Sequence, residues 1–109
     1  MFEIVLERES EPPVLRLTGD LVLGTPAESL GAAIQQLVAE GRAKVLVDVS
    51  AIAAIDSTGL TALVTAHKTL TRAGGRLVLV QPSARLRTAL DRTRLASMFQ
   101  IVDDQPSTG

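Results

Sequence analysis

Asp56, Ser57, Thr58 and Gly59 stand in a row between an apolar run, "VDVSAIAAI", and a segment of helical period. A carboxylate beside two hydroxyls suits three kinds of chemistry. It can cap a helix, because Asp and Ser side chains accept hydrogen bonds from the free N–H groups of a first turn. It can present a hydroxyl for phosphorylation, at a helix N-terminus whose N–H groups and partial positive charge tolerate the added anion. It can also catalyse, as in the Asp-hydroxyl-Gly aspartic proteases or a Ser-His-Asp set. The neighbouring residues argue against the third. In the protease motif one residue separates the Asp from the Gly, and here two do. A helical pattern follows the motif, whereas those enzymes are all β. His67, the single histidine, lies beside the apolar stripe of that helix and reads as a packing residue. There is no GxxxxGK phosphate loop. The reading is a binding protein, not an enzyme, with no catalytic residue, no metal and no cofactor.

Composition narrows the field further. A chain of 109 residues, 46% hydrophobic and 21% charged, fits one globular domain. The net charge is −1, and there is no Tyr or Trp. Nucleic-acid binding needs a clustered basic surface or stacking aromatics, and neither is provided. No Cys is present, so disulfides and thiolate metal sites are excluded. No apolar run reaches the roughly 20 residues that span a bilayer, and "MFEIVLERE" is unlike a secretory signal. The expectation is a small cytoplasmic protein with no membrane insertion.

The elements that must position the motif follow from periodicity. Phe2, Ile4 and Leu6 alternate with Glu3, Val5 and Glu7, which predicts a strand. "SEPP" interrupts it, and "VLRLTGDL" predicts a second strand pairing antiparallel with the first. Thr25 and Pro26 predict the N-cap and first turn of a helix carrying Leu30, Ala33, Ile34, Leu37 and Val38 on one stripe. Gly41 would end it. "KVLVDV" reads as a short strand buried on both faces. The helix after Gly59 carries Leu60, Leu63, Val64 and Leu70 inward and stops at Gly74 and Gly75. "RLVLV" predicts another buried strand. Ser83 would cap a helix through Leu86 and Leu90, followed by a short helical "LASMF" and an edge strand "QIVD". Residues 104–109 predict a frayed tail. The fold class is α/β. An N-terminal antiparallel hairpin leads into a mostly parallel sheet of four to five strands with right-handed βα crossovers, as one domain over residues 1–109.

The outer face of the helix after Gly59 is unusual in composition. Thr58, Thr61, Ala62, Thr65 and Lys68 or Thr69 fall there at three- and four-residue steps. Such a small, nearly uncharged surface suits a docked partner. Asp48 lies at the end of a buried strand, either lining the same edge as Asp56 or bonding loop N–H groups. Arg76, Arg85, Arg87, Arg92 and Arg94 make the C-terminal half basic, as solvated helix charges do.

Four quoted segments together resemble the STAS-domain family, of the anti-sigma-factor antagonist type, over nearly the whole length. They are "LTGDL", "VLVDVSAIAAIDSTGLTALV", "AGGRLVLV" and "LDRTRLASMFQIVD". The resemblance implies a single STAS domain that binds an anti-sigma-factor serine/threonine kinase of ATPase fold. It implies that the unphosphorylated form holds the kinase, and that phosphorylation of the hydroxyl residue before the motif Gly releases it. A phosphatase then resets the switch. That hydroxyl is Thr58, with Ser57 the neighbouring alternative. The implied contact surface is Asp20, Asp56, Ser57, Thr58, Gly59, Thr61, Ala62, Thr65 and Lys68. Two positions depart from the family pattern. Val22 stands where an Asp is usual, and Thr61 where many members have Gly. They favour, as the alternative, a STAS scaffold that is never phosphorylated, within a transport or stressosome-like signalling complex. A sensor of a small ligand near Asp48 and Asp56 is a third reading. Edge-to-edge pairing of the exposed first strand leaves a homodimer open.

Overall fold

The computed structural model describes residues 1–103. The expectation of a frayed tail over 104–109 lies outside the described residues. The first strand, β1 (Phe2–Glu7), pairs antiparallel with β2 (Val14–Leu21). Helix α1 (Thr25–Ala39) leads to β3 (Lys44–Ile55), and α2 (Ser57–Arg72) leads to β4 (Arg76–Val80). Helix α3 (Ala84–Arg92), a 3₁₀ turn (Ala96–Met98) and β5 (Gln100–Val102) complete the chain. The five strands form one sheet in sequential order, and every pairing after the first hairpin is parallel.

Side-chain alternation divides the sheet into two unlike faces. On one face Leu15, Leu17, Val45, Val47, Leu77 and Leu79 are essentially fully buried. They share one cluster with Leu30, Ile34 and Leu37 of α1, Leu63 and Leu70 of α2, and Leu86 and Leu90 of α3. All three helices therefore cover the same face. Val14, Val78 and Val80 are buried as well but stand outside that cluster, on the face the helices leave bare.

Three local expectations need correction. Thr25 is not the cap of α1. Gly24 takes that place at φ 102° and ψ −143°, with no side-chain cap, because the chain turns there through a conformation that only glycine enters freely. Thr25 becomes the first helical residue. Second, β3 is twelve residues long and does not stop after "KVLVDV". Its second half pairs with Thr18–Leu21 of β2 through two register shifts, and Ile52 is buried there. Third, the buried residues of α2 are Gly59, Leu60, Leu63, Ala66 and Leu70, while Val64 is half-buried. Ala66 lies three residues beyond Leu63 on the same stripe, and Val64 packs against the core from its margin.

Other expectations hold. Gly41 sits at φ 81° just past α1, where the Arg42 N–H donates to the Leu37 carbonyl at 2.8 Å. Ser83 caps α3 through its Oγ, which accepts from the Leu86 N–H at 3.2 Å. His67 packs edge-on against Phe99, ring centroids 5.5 Å apart.

Leu79 is fully buried between the sheet and the helices. Leu79→Ala is expected to cost about 2–5 kcal/mol, the transfer term plus the cavity it leaves, measured by urea unfolding.

Candidate functional site

Asp56 is the junction between β3 and α2. Its backbone is extended, at φ −114° and ψ −177°, and its side chain caps the helix. Oδ1 accepts from the Gly59 N–H at 2.8 Å, and Oδ2 accepts from the Leu23 N–H at 3.0 Å. One carboxylate thus fixes the start of α2 and also ties down the loop between β2 and α1. These two backbone donors, Leu23 first and Gly59 second, hold the Asp56 carboxyl below its ordinary range.

Gly59 is needed for a different reason. A Cβ there would come within 2.0 Å of the Leu21 carbonyl oxygen and 2.9 Å of its carbon. The first turn of α2 therefore rests directly on the end of β2. Leu21 and Ile55 are partners across the β2–β3 ladder, so three segments meet at this glycine.

Asp56 leaves the two hydroxyl residues out of the cap. Ser57 is exposed and Thr58 half-buried, on the first turn of α2. Thr61, Thr65 and Lys68 are exposed along the same helix. Ala62 is half-buried and packs against the core, so it borders the outer surface without standing proud of it. Asp20 reaches the same edge of the sheet, opposite Ala54 in register, and its carboxylate is 3.3 Å from the Met1 amino group. Asp20, Asp56, Ser57, Thr58, Gly59 and Thr61 are therefore gathered at the carboxyl ends of β2 and β3. Thr65 and Lys68 extend that surface along α2.

Asp48 does not join them. It lies eight residues earlier in β3, beside Arg16 and Val80 in register and on the bare face of the sheet. Its Oδ1 accepts from the Ser50 N–H at 3.0 Å and the Ser50 Oγ at 2.7 Å, and its Oδ2 is 3.6 Å from Arg16 Nε. The expectation that it lines the edge near Asp56 is overturned by the continuation of β3 past Ser50. Its backbone N–H bond is the other expectation realised, within a strand and not a loop.

One residue at this edge, Leu23, escapes sequence reasoning, and two others, Arg85 and Arg92, stand nearer to it than their reading as solvated helix charges implies. Leu23 is 72% exposed, a large apolar side chain in the loop that Asp56 anchors. Arg85 and Arg92 of α3 line a groove with Ala54 and Ile55, the two residues before Asp56. Their charges are not remote from the motif, as a count along α2 alone suggests. Nothing in the local sequence of α3 signals this, because it depends on how α3 docks. Val22 lines a separate groove with Asp20, Phe2 and Pro26. Among the described residues no group of three His, Cys, Asp or Glu is placed to hold a metal ion. No described helix is long and apolar enough to cross a membrane.

Two outcomes follow from this geometry. Gly59→Ala is expected to cost about 1–3 kcal/mol, because backbone must shift to admit the methyl group. Gly31→Ala, on the exposed side of α1 with no atom within 4 Å of the added Cβ, is expected to stabilise by about 0.5–1 kcal/mol. Urea unfolding of both variants checks the contrast. The second outcome concerns pH. The folded-state pKa of Asp56 is depressed, so its contribution is complete above the unfolded carboxylate pKa and is lost as pH falls through the folded value. The urea midpoint of Asp56→Ala should trail that of the parent near neutral pH. The gap should close on acidification below the ordinary carboxylate range.

The comparisons with known proteins agree with this fold. A family model described as the STAS domain matches residues 3–106. No curated protein sequence matches at a significant level. Among solved structures, an anti-sigma factor antagonist from Mycobacterium paratuberculosis superposes with a TM-score of 0.78 at 22% identity, over 95% of this chain and 87% of that one. The anti-sigma factor antagonist SpoIIAA in its unphosphorylated form gives 0.74 at 20% identity, over 94% and 90%. SpoIIAA of Bacillus, described as a cell fate determinant and in its phosphorylated form, gives 0.72 at 21% identity, over 94% and 93%. At these identities the likeness is one of fold, and the family match extends over nearly the whole chain. The chain belongs to the STAS-domain family.

Proposed function

We propose that this protein is an anti-sigma-factor antagonist that binds an anti-sigma-factor serine/threonine kinase while unphosphorylated and is released by phosphorylation at Thr58. The observation that carries the reading is the division of labour at the start of α2. Asp56 makes the cap and the loop anchor, so the hydroxyl of Thr58 can change without removing either. The solved structures of similar fold include an antagonist in both unphosphorylated and phosphorylated forms, which supports the same cycle here.

The charge change suits an interface switch. A phosphate adds about −1.5 to −2 charges beside the Asp56 carboxylate. Water and the N–H groups of the helix start can solvate that charge in the free protein. A partner docked over a neutral Thr58 would have to strip that solvation, at a cost of several kcal/mol. The partner surface comprises Asp20, Asp56, Ser57, Thr58, Thr61, Ala62, Thr65 and Lys68, while Gly59, buried against Leu21, supports it from beneath. The exposed Leu23, bound through its N–H to Asp56, adds an apolar contact. On this reading the chain is the substrate of its partner and not itself an enzyme. A phosphatase returns it to the binding form, and the cycle runs in the cytoplasm.

A second reading, a scaffold that is never phosphorylated, rests on Val22. Its half-buried side chain adds no carboxylate to the edge that holds Asp20 and Asp56.

Incubation with the cognate kinase and ATP, followed by intact mass and fragment mapping, decides between them. The expected result is one phosphate on Thr58, loss of kinase binding, and a melting temperature close to that of the unmodified protein. Thr58→Ala should still bind the kinase and accept no phosphate. A phosphate on Ser57 would move the acceptor by one residue. No phosphate at all, together with none on protein taken from its native cell, would favour the scaffold.

A further inference from the structure

The helix-free face of the sheet carries a second site, remote from Thr58. Register places its side chains in rows. Glu7, Val14, Leu46, Val78 and Gln100 run across the sheet in one row. Val5, Arg16, Asp48, Val80 and Val102 form the next. Lys44 and Arg76 are partners in the row before them, at the amino ends of β3 and β4. The loop between β1 and β2 forms a wall through Ser10, Glu11 and Pro12, and the whole makes a groove of about 540 Å³. That volume lies within the range of small-molecule sites. Its floor is apolar: Val14, Leu46, Val78, Val80 and Val102.

Charge says what kind of molecule fits. Three carboxylates, Glu7, Glu11 and Asp48, stand around the groove against four cations, Arg16, Arg42, Lys44 and Arg76, so one positive charge is in excess. Glu7 is paired with Arg16, and Asp48 lies 3.6 Å from the same guanidinium. Glu11 is paired with Arg42 at 3.2 Å. Lys44 and Arg76 have no carboxylate partner among the described residues, and Arg76 donates to the neutral Gln100 Oε1 at 2.9 Å. The groove thus runs about 13 Å along the strands, with two cations that lack a carboxylate partner in its first row and an apolar floor over the next two rows. An amphiphilic anion complements it, whereas an uncharged or cationic amphiphile does not.

We propose that this face binds an amphiphilic carboxylate, of the medium-chain fatty-acid class. The tail lies across Leu46, Val78 and Val80, and the carboxylate is held by Lys44 and Arg76. A carboxylate bound by an Arg and a Lys gains charge-assisted hydrogen bonds, the stronger kind available to it. The site lies at the opposite end of β3 from Asp56, so the inference does not depend on the kinase-switch reading.

Decanoate is the probe, titrated below its aggregation threshold into the full chain and followed by amide chemical shifts and calorimetry. Saturable binding is expected, with shifts concentrated at Val14, Leu46, Val78 and Val102. Decanol and decyltrimethylammonium at equal concentration should bind at least tenfold more weakly. Lys44→Glu with Arg76→Glu should reduce decanoate affinity tenfold or more. Both positions are exposed, so the fold should survive, which an unchanged urea midpoint verifies. Leu46→Gln, at a half-buried floor position, serves as an independent variant with the same expected loss. Several results would overturn the proposal. They are no saturation, equal binding of the alcohol, insensitivity to charge reversal, and shifts confined to α2. Concentration-dependent dimerisation through these same residues would assign the face to a second copy of the chain and overturn it equally.

Discussion

The carboxylate of Asp56 joins two parts of the chain that are far apart in sequence. Oδ1 closes the first turn of α2, and Oδ2 holds the Leu23 N–H in the loop between β2 and α1. A helix start leaves several N–H groups unpaired, and a loop beside it adds more. One acid satisfies donors from both, so a short-range electrostatic contact joins the apolar packing of Leu21 and Leu60 in holding the edge of the sheet. The close approach of Gly59 to the Leu21 carbonyl belongs to the same constraint. With any larger residue there, backbone at the start of α2 or the end of β2 would have to shift.

This arrangement separates the residues the fold needs from those left free at the surface. Asp56 and Gly59 are fixed by geometry. Ser57, Thr58, Thr61 and Thr65 are not, because none of them fills the core. Small hydroxyl side chains on a helix lose little entropy when covered, and on the reading proposed above a single phosphate would give their neutral surface a negative charge. Arg85 and Arg92 along the Ala54–Ile55 groove set a basic flank beside that surface. A partner covering both must therefore be neutral over the hydroxyls and can be acidic over α3.

Most of the architecture was legible in local patterns. Alternation in "FEIVLE" marked a strand with one buried face, and the spacing of Leu30, Ile34 and Leu37 marked the inner stripe of α1. The Ser83 cap was equally plain. What local pattern could not show depends on contacts distant in sequence. Asp56 could be read as a cap, but its bond to Leu23, 33 residues away, could not. Thr25 looked the better cap of α1, since side-chain chemistry favours it, yet the backbone turn at Gly24 decided the boundary. The far half of β3 looked like a bridge because Ala-rich sequence has weak strand preference. It is a strand because β2 offers it hydrogen-bond partners. That extra length is also what carried Asp48 away from Asp56.

The unequal faces of the sheet place two chemistries at opposite ends of one strand. Parallel strands bring their carboxyl ends together at one edge, where α2 begins and Thr58 sits. Their amino ends meet at the other, where Lys44 and Arg76 stand side by side. With all three helices on one face, the other must shield its valines by other means. It does so with the arms of charged residues and the loop between β1 and β2. Long charged side chains cover apolar surface only while their heads stay solvated, so the cover is adjustable in a way that a packed helix is not. A partner at the other edge must meet a surface held rigid by Asp56. On the two proposals, the fold has one edge for a protein partner and one face for a medium-chain amphiphile.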